Sequence, residues 1–224
     1  MIALAYPSVA RLVRSPRTWT WSVAWASVAL AWAVHTRVSG WPHGATDALL
    51  GAYGTLGLPL LAYVQVRGAI GPGSLSASMR PLVRLGAPPW KAAAATACVA
   101  IAACALWGAG LAAAVAAVAH GAADPPVLRD ALTSAYAGAL GGMGYGAMFV
   151  AATRLGGLVP GACLVLDWML GAGSGGASMV TPRAHLRNLL GGLAPMGVAG
   201  RASAAALVVI GVVGLGLAVV RKRK

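Results

Sequence analysis

Apolar residues fall into six long runs, at about residues 19–34, 48–66, 92–119, 131–152, 155–172 and 204–220, joined by short polar or basic connections. A hydrocarbon core about 30 Å thick takes about 20 helical residues, and runs rich in Ala, Leu, Val and Gly suit it. Backbone polar groups facing lipid must bond within their own segment, so each run is expected to be a helix. The expected fold class is an all-α polytopic membrane protein with six transmembrane helices in one domain, 1–224. The third run exceeds the bilayer thickness and is expected to tilt or protrude.

Two shorter stretches follow a different pattern. In "SMRPLVRLGAPPWK", residues 78–91, Met79, Leu82, Val83 and Gly86 recur at i, i+3, i+4 and i+7, while Arg80 and Arg84 share another face. This spacing predicts a short amphipathic helix over 78–86. Ser78 is expected to cap it, with Pro81 in its first turn, Gly86 at a left-handed exit and Pro88 and Pro89 as the stop. A two-turn helix is marginal alone in water, so it must pack on lipid head groups, the bundle or another protein. In "YPSVARLVRSPRTW" Pro7 is expected to open a helix that Pro16 breaks, with Val9, Leu12 and Val13 on one face. That segment, 6–17 with Arg11, Arg14 and Arg17, reads as an interfacial helix, and Trp19 and Trp21 belong at head-group level.

Composition fits this reading. With 59% hydrophobic and 9% charged residues among 224, and a mean hydropathy of +0.77, too little polar surface exists for a soluble globule. Seventeen basic residues against four aspartates give a net charge of +13, which in a soluble chain would suggest nucleic acid. Here nearly all the basic residues sit at run ends, where they face anionic membrane lipids, and no nucleic-acid partner is expected. Twelve of them, Arg11, Arg14, Arg17, Arg67, Arg80, Arg84, Lys91, Arg154 and the "RKRK" tail of residues 221–224, fall on one side. Five, Arg37, Arg129, Arg183, Arg187 and Arg201, fall on the other. The positive-inside rule then puts both termini in the cytoplasm, with the tail as a stop-transfer anchor. No cleavable signal peptide is evident. Cys98, Cys104 and Cys163 lie inside the runs without metal-site spacing and read as small buried hydrophobes.

The "LVRSPRTW" end of the N-terminal helix, the six spans and the "LVRLGAPPWKAAAA" stretch between spans two and three together resemble the permease subunits of ABC-2 type transporters. The resemblance covers the whole chain in layout and those two segments in wording. It implies that residues 78–86 are the coupling helix, with Met79, Arg80, Leu82, Val83, Arg84, Leu85 and Gly86 contacting a separate ATP-hydrolysing subunit. It also implies that Arg11, Arg14, Arg17 and Trp19 belong to the elbow helix. A second permease subunit, export rather than import, an inner-membrane location and an outer segment within 173–203 that dips back into the membrane are implied as well. The chain departs from common members in lacking the glutamates often found around the coupling segment. It has no GxxxxGK[ST] loop and no acidic pair for magnesium, so it is not expected to be an enzyme or to hold a cofactor; ATP and magnesium belong to the partner. A gradient-driven transporter or channel, and a non-transporting component of a larger assembly, remain as alternatives.

Inside the runs, Asp167 is the one acid, and it suits either a translocation path or a structural ion pair with Arg183, Arg187 or Arg201. At about 1.5 Å per residue it lies roughly 20 Å from Arg154, toward the outer leaflet. His35, His43, His120 and His185 fall on the outer side with Asp47, Asp124 and Asp130, but their spacing sets no coordination geometry and no metal site is assigned. Met143, Met148, Met169, Met179 and Met196 read as packing, and Ser174 with His185 fits an intramembrane protease poorly. Gly138, Gly142 and Gly146 leave one face of the fourth span bare for another helix, and Pro59 should kink the second.

Overall fold

The computed structural model describes residues 2–220, and these form helices and connections without a strand. The basic tail of residues 221–224 lies outside the described residues. The chain runs through α1 (Ile2–Arg14), α2 (Pro16–Val38) and the short α3 (Gly44–Ala48), then a π-helical segment (Leu49–Gly57) that continues into α4 (Leu58–Ile70). There follow α5 (Leu75–Arg84), α6 (Pro89–Ala119), α7 (Val127–Thr153), α8 (Val159–Leu170), α9 (Pro182–Leu189) and α10 (Gly200–Val219). Proline occupies the first or second position of α2, α6, α8 and α9, where its missing N–H would be unpaired anyway.

Three helical stretches are long and apolar enough to cross a membrane: Gly44–Arg84, Pro89–Ala119 and Gly200–Val219. The first of these is broken between α4 and α5. α2 and α7 have 23 and 27 residues but are more polar. The expected span 155–172 is different: residues 155–158 turn, and α8 has only 12 residues, about 18 Å of rise. Pro59 acts on the second run as a change of helix type. Ahead of it the ladder widens, Leu58 N–H bonds to the Tyr53 carbonyl five residues back, and Gly51 leaves the helical region.

α6 and α7 form the centre of the bundle. A Cβ at Gly138 would overlap the Gly108 carbonyl, and one at Gly142 the Cys104 carbonyl, so the glycine face of α7 is where the two backbones touch. Tyr53 from the π segment reaches this crossing and donates from its hydroxyl to the Gly108 carbonyl at 2.9 Å.

The two ends of the bundle carry different groups. At one end Arg11 donates to the Ile70 carbonyl, Arg67 to Gly157 and Arg154 to Val220, tying α1, α4, α7 and α10 together. At the other, Arg37 donates to the His120 carbonyl and Ala123 N–H to Pro42.

α1 begins earlier than its sequence pattern suggests, with Pro7 inside the helix rather than at its start. Its predicted face also divides: Leu12 packs on the core while Val9 and Val13 point outward with Tyr6. Ser8 bonds to Thr96 and Arg11 to Ile70, so with Leu12 they seat α1 on α6 and α4, and the side bearing Tyr6, Val9 and Val13 is open. Pro16 does end α1, and Ser15 caps α2 by accepting from Thr18 N–H.

Candidate functional site

The candidate site is the outward face of α5. Leu75, Met79 and Leu82, at i, i+4 and i+7, turn inward; Leu75 is fully buried and Met79 nearly so. Arg80, Val83, Arg84 and Leu85 turn outward, and Leu85 is 85% exposed. The face predicted from Met79, Leu82 and Val83 is therefore rotated toward Leu75, because the helix begins three residues before 78 and ends at Arg84. It starts at Ser74, whose hydroxyl accepts from Ala77 N–H, while Ser78 instead donates to the Leu75 carbonyl and caps nothing. Pro81 thus sits in the helix interior. Leu75, four residues before Met79 and seven before Leu82, was the signal in the sequence for this earlier start.

Gly86 takes φ +86°, the left-handed exit that its position predicted, and Ala87 N–H bonds back to the Leu82 carbonyl. Pro88 and Pro89 then launch α6 with Trp90 beside the same surface. A cavity of about 500 Å³ opens here, lined among others by Met79, Arg80, Val83, Arg84, Trp90 and Arg154. Three guanidinium groups and exposed apolar side chains thus share one concave surface, with the ends of α7 and α10 at its back. Neither Trp90 nor Arg154 was assigned to this site by sequence reasoning, since only the packing of distant helix ends brings them there.

α1 flanks this end. Arg14 and Arg17 are exposed, Trp19 is half-exposed and donates to the Val13 carbonyl, and Arg11 is partly buried. Burial lowers the Arg11 pKa.

Asp167 lies elsewhere. It is 3% exposed, accepts from the Tyr145 hydroxyl at 2.8 Å and from the Arg183 backbone N–H at 3.2 Å. No Arg183, Arg187 or Arg201 nitrogen reaches it as an ion pair among the described residues. Arg183 instead donates to the Trp168 carbonyl, and Arg187 to those of Ala172, Gly173 and Leu193, capping the C-terminal end of α8. Tyr145 is nine residues from Arg154, about 13 Å of helix rise, so Asp167 sits nearer mid-bundle than the outer position read from sequence. The start of α9 reaches the same depth: Pro182 lies beside Gly144, and Leu186 beside Gly141.

His185 is buried. Its Nε2 donates to the Met179 carbonyl and its Nδ1 accepts from Ser203, so it has no free nitrogen for Ser174. At the opposite end from α5, His120, Asp124 and Asp130 come together, which their sequence spacing did not predict. No protein-family model, no curated protein and no solved structure matches the chain.

Proposed function

We propose that this chain is the membrane-spanning subunit of an ABC-2 type exporter, driven by a separate ATPase subunit. The observation that carries the reading is the mounting of α5. One face is locked to α6 by Leu75 and Met79, and the other offers Arg80, Val83, Arg84 and Leu85 to a partner. A helix held so firmly transmits a push on its outer face to the bundle instead of absorbing it. The partner surface should be apolar with acidic residues, to match three arginines around an apolar concavity.

In this reading six helices cross the inner membrane: α2, the π segment with α4, α6, α7, α8 and α10. α5 and both termini are cytoplasmic, and α1 lies in the interface with Tyr6, Val9 and Val13 toward lipid. α8, too short to cross alone, is completed by the segment around α9, which enters from the outer side. A second copy or a related permease subunit closes the path, and ATP and magnesium are bound by the partner alone.

The test is copurification. A tagged chain extracted gently from its own host should bring down an ATP-binding subunit, and Leu85→Glu with Arg84→Glu should release it while the chain's melting temperature holds. Purification of a transport-active chain with no ATPase bound would refute the proposal.

A further inference from the structure

Three polar atoms are left over at the end of the bundle opposite α5. His120 Nδ1, Asp124 Oδ1 and Asp130 Oδ2 are each buried and each lack a hydrogen-bond partner. Buried polar atoms are almost always paired, so three orphans at one place require an explanation. They belong to residues whose ligand atoms all lie within 4.8 Å of one another.

The site is built, not assembled by chance rotamers. The Asp124 side chain is 1% exposed, and its other oxygen, Oδ2, accepts from Ala45 N–H and Gly121 N–H, both at 2.8 Å. That clamp fixes the carboxylate and leaves Oδ1 without a hydrogen-bond partner. His120 ends α6, Asp130 stands in the first turn of α7, and Gly121 between them allows the loop to press against the Trp41 and Pro42 carbonyls. Among the described residues no lysine or arginine nitrogen lies within 4.0 Å of either carboxylate; the nearest cationic candidate is the exposed His43, with Nδ1 3.9 Å from Asp124 Oδ1. Arg37, also close by, is spent on the His120 carbonyl. Burial, then the neighbouring Asp124, raises the Asp130 pKa, with His120 opposing.

We propose that His120, Asp124 and Asp130 bind one divalent transition-metal ion. An imidazole nitrogen with two carboxylate oxygens suits zinc and its neighbours; the imidazole disfavours magnesium and calcium, and the lack of sulfur disfavours cuprous copper. Ligands at about 2.0–2.2 Å on a tetrahedral ion stand roughly 3.4 Å apart, so side-chain rotations of about an ångström close the site. The exposed His43, with Nδ1 3.9 Å from Asp124 Oδ1, is the next residue able to offer a ligand. An ion there neutralises two carboxylates held close together and joins the end of α6 to the start of α7, with α3 attached through Asp124. This inference is independent of the transport reading, because it uses only residues at the far end from α5.

The test uses the full chain purified without a histidine tag, stripped with EDTA and dialysed against Zn²⁺. The wild type should retain one zinc per chain, gain thermal stability on adding it, and show visible d–d bands with Co²⁺. His120→Gln and Asp130→Asn, which leave the Asp124 clamp intact, should keep the melting temperature of the stripped wild type yet bind zinc at least about tenfold more weakly. Substoichiometric zinc on the wild type, or unchanged affinity in both variants, would overturn the proposal. Because these variants are read by zinc binding and melting temperature, without the ATPase, their failure would leave the copurification result untouched.

Discussion

The Tyr145 hydroxyl donates to the Asp167 carboxylate at 2.8 Å, holding the only acid inside the apolar runs at mid-bundle depth. A buried acceptor that loses its donor keeps its desolvation penalty. Tyr145→Phe should therefore destabilise the chain by about 1–3 kcal/mol. In the Asp167→Leu background the same change should cost much less, a coupling that a double-mutant cycle in thermal unfolding would reveal.

The two sides of α5 should respond in opposite ways. Leu75→Ala removes a fully buried side chain and should cost about 2–5 kcal/mol in unfolding experiments. Leu85→Ala, at a position 85% exposed, should stay within about 0.5 kcal/mol of wild type and act only on partner binding. Equal thermal losses in the two variants would mean that α5 is not seated this way.

Helix start can be located by hydroxyl removal. Ser74→Ala deletes the bond to Ala77 N–H and should weaken α5 by about 1 kcal/mol, seen as faster amide exchange over its first turn. Ser78→Ala, which loses only a bond to the Leu75 carbonyl, should leave that exchange close to wild type.

Glycines of α6 and α7 differ by what stands opposite them. Gly142→Ala puts a methyl group onto the Cys104 carbonyl and should destabilise by roughly 1–3 kcal/mol through forced separation of the two backbones. Gly110→Ala meets nothing within 4 Å and should stabilise α6 by up to about 1 kcal/mol. Melting temperatures of the two variants should move in opposite directions.

Features that depend on neighbours in the chain could be read from the residues alone. Apolar runs dictated helices because lipid or core leaves the backbone no other partner, and the stops at Pro16 and the left-handed Gly86 followed from their own conformational limits. The bare face of Gly138, Gly142 and Gly146 announced a close helix crossing, and α6 supplies it. What depended on distant parts of the chain could not be read in this way. Val9 and Val83 are as apolar as Leu12 and Leu82, and only the placement of α4 and α6 makes one set core and the other surface. The depth of Asp167 follows from a turn at 155–158 that shortens α8, and its partners Tyr145 and Arg183 lie 22 and 16 residues away. His120, Asp124 and Asp130 meet because the antiparallel packing of α6 and α7 folds their connection back against the loop before α3, a geometry that no spacing of residues encodes by itself.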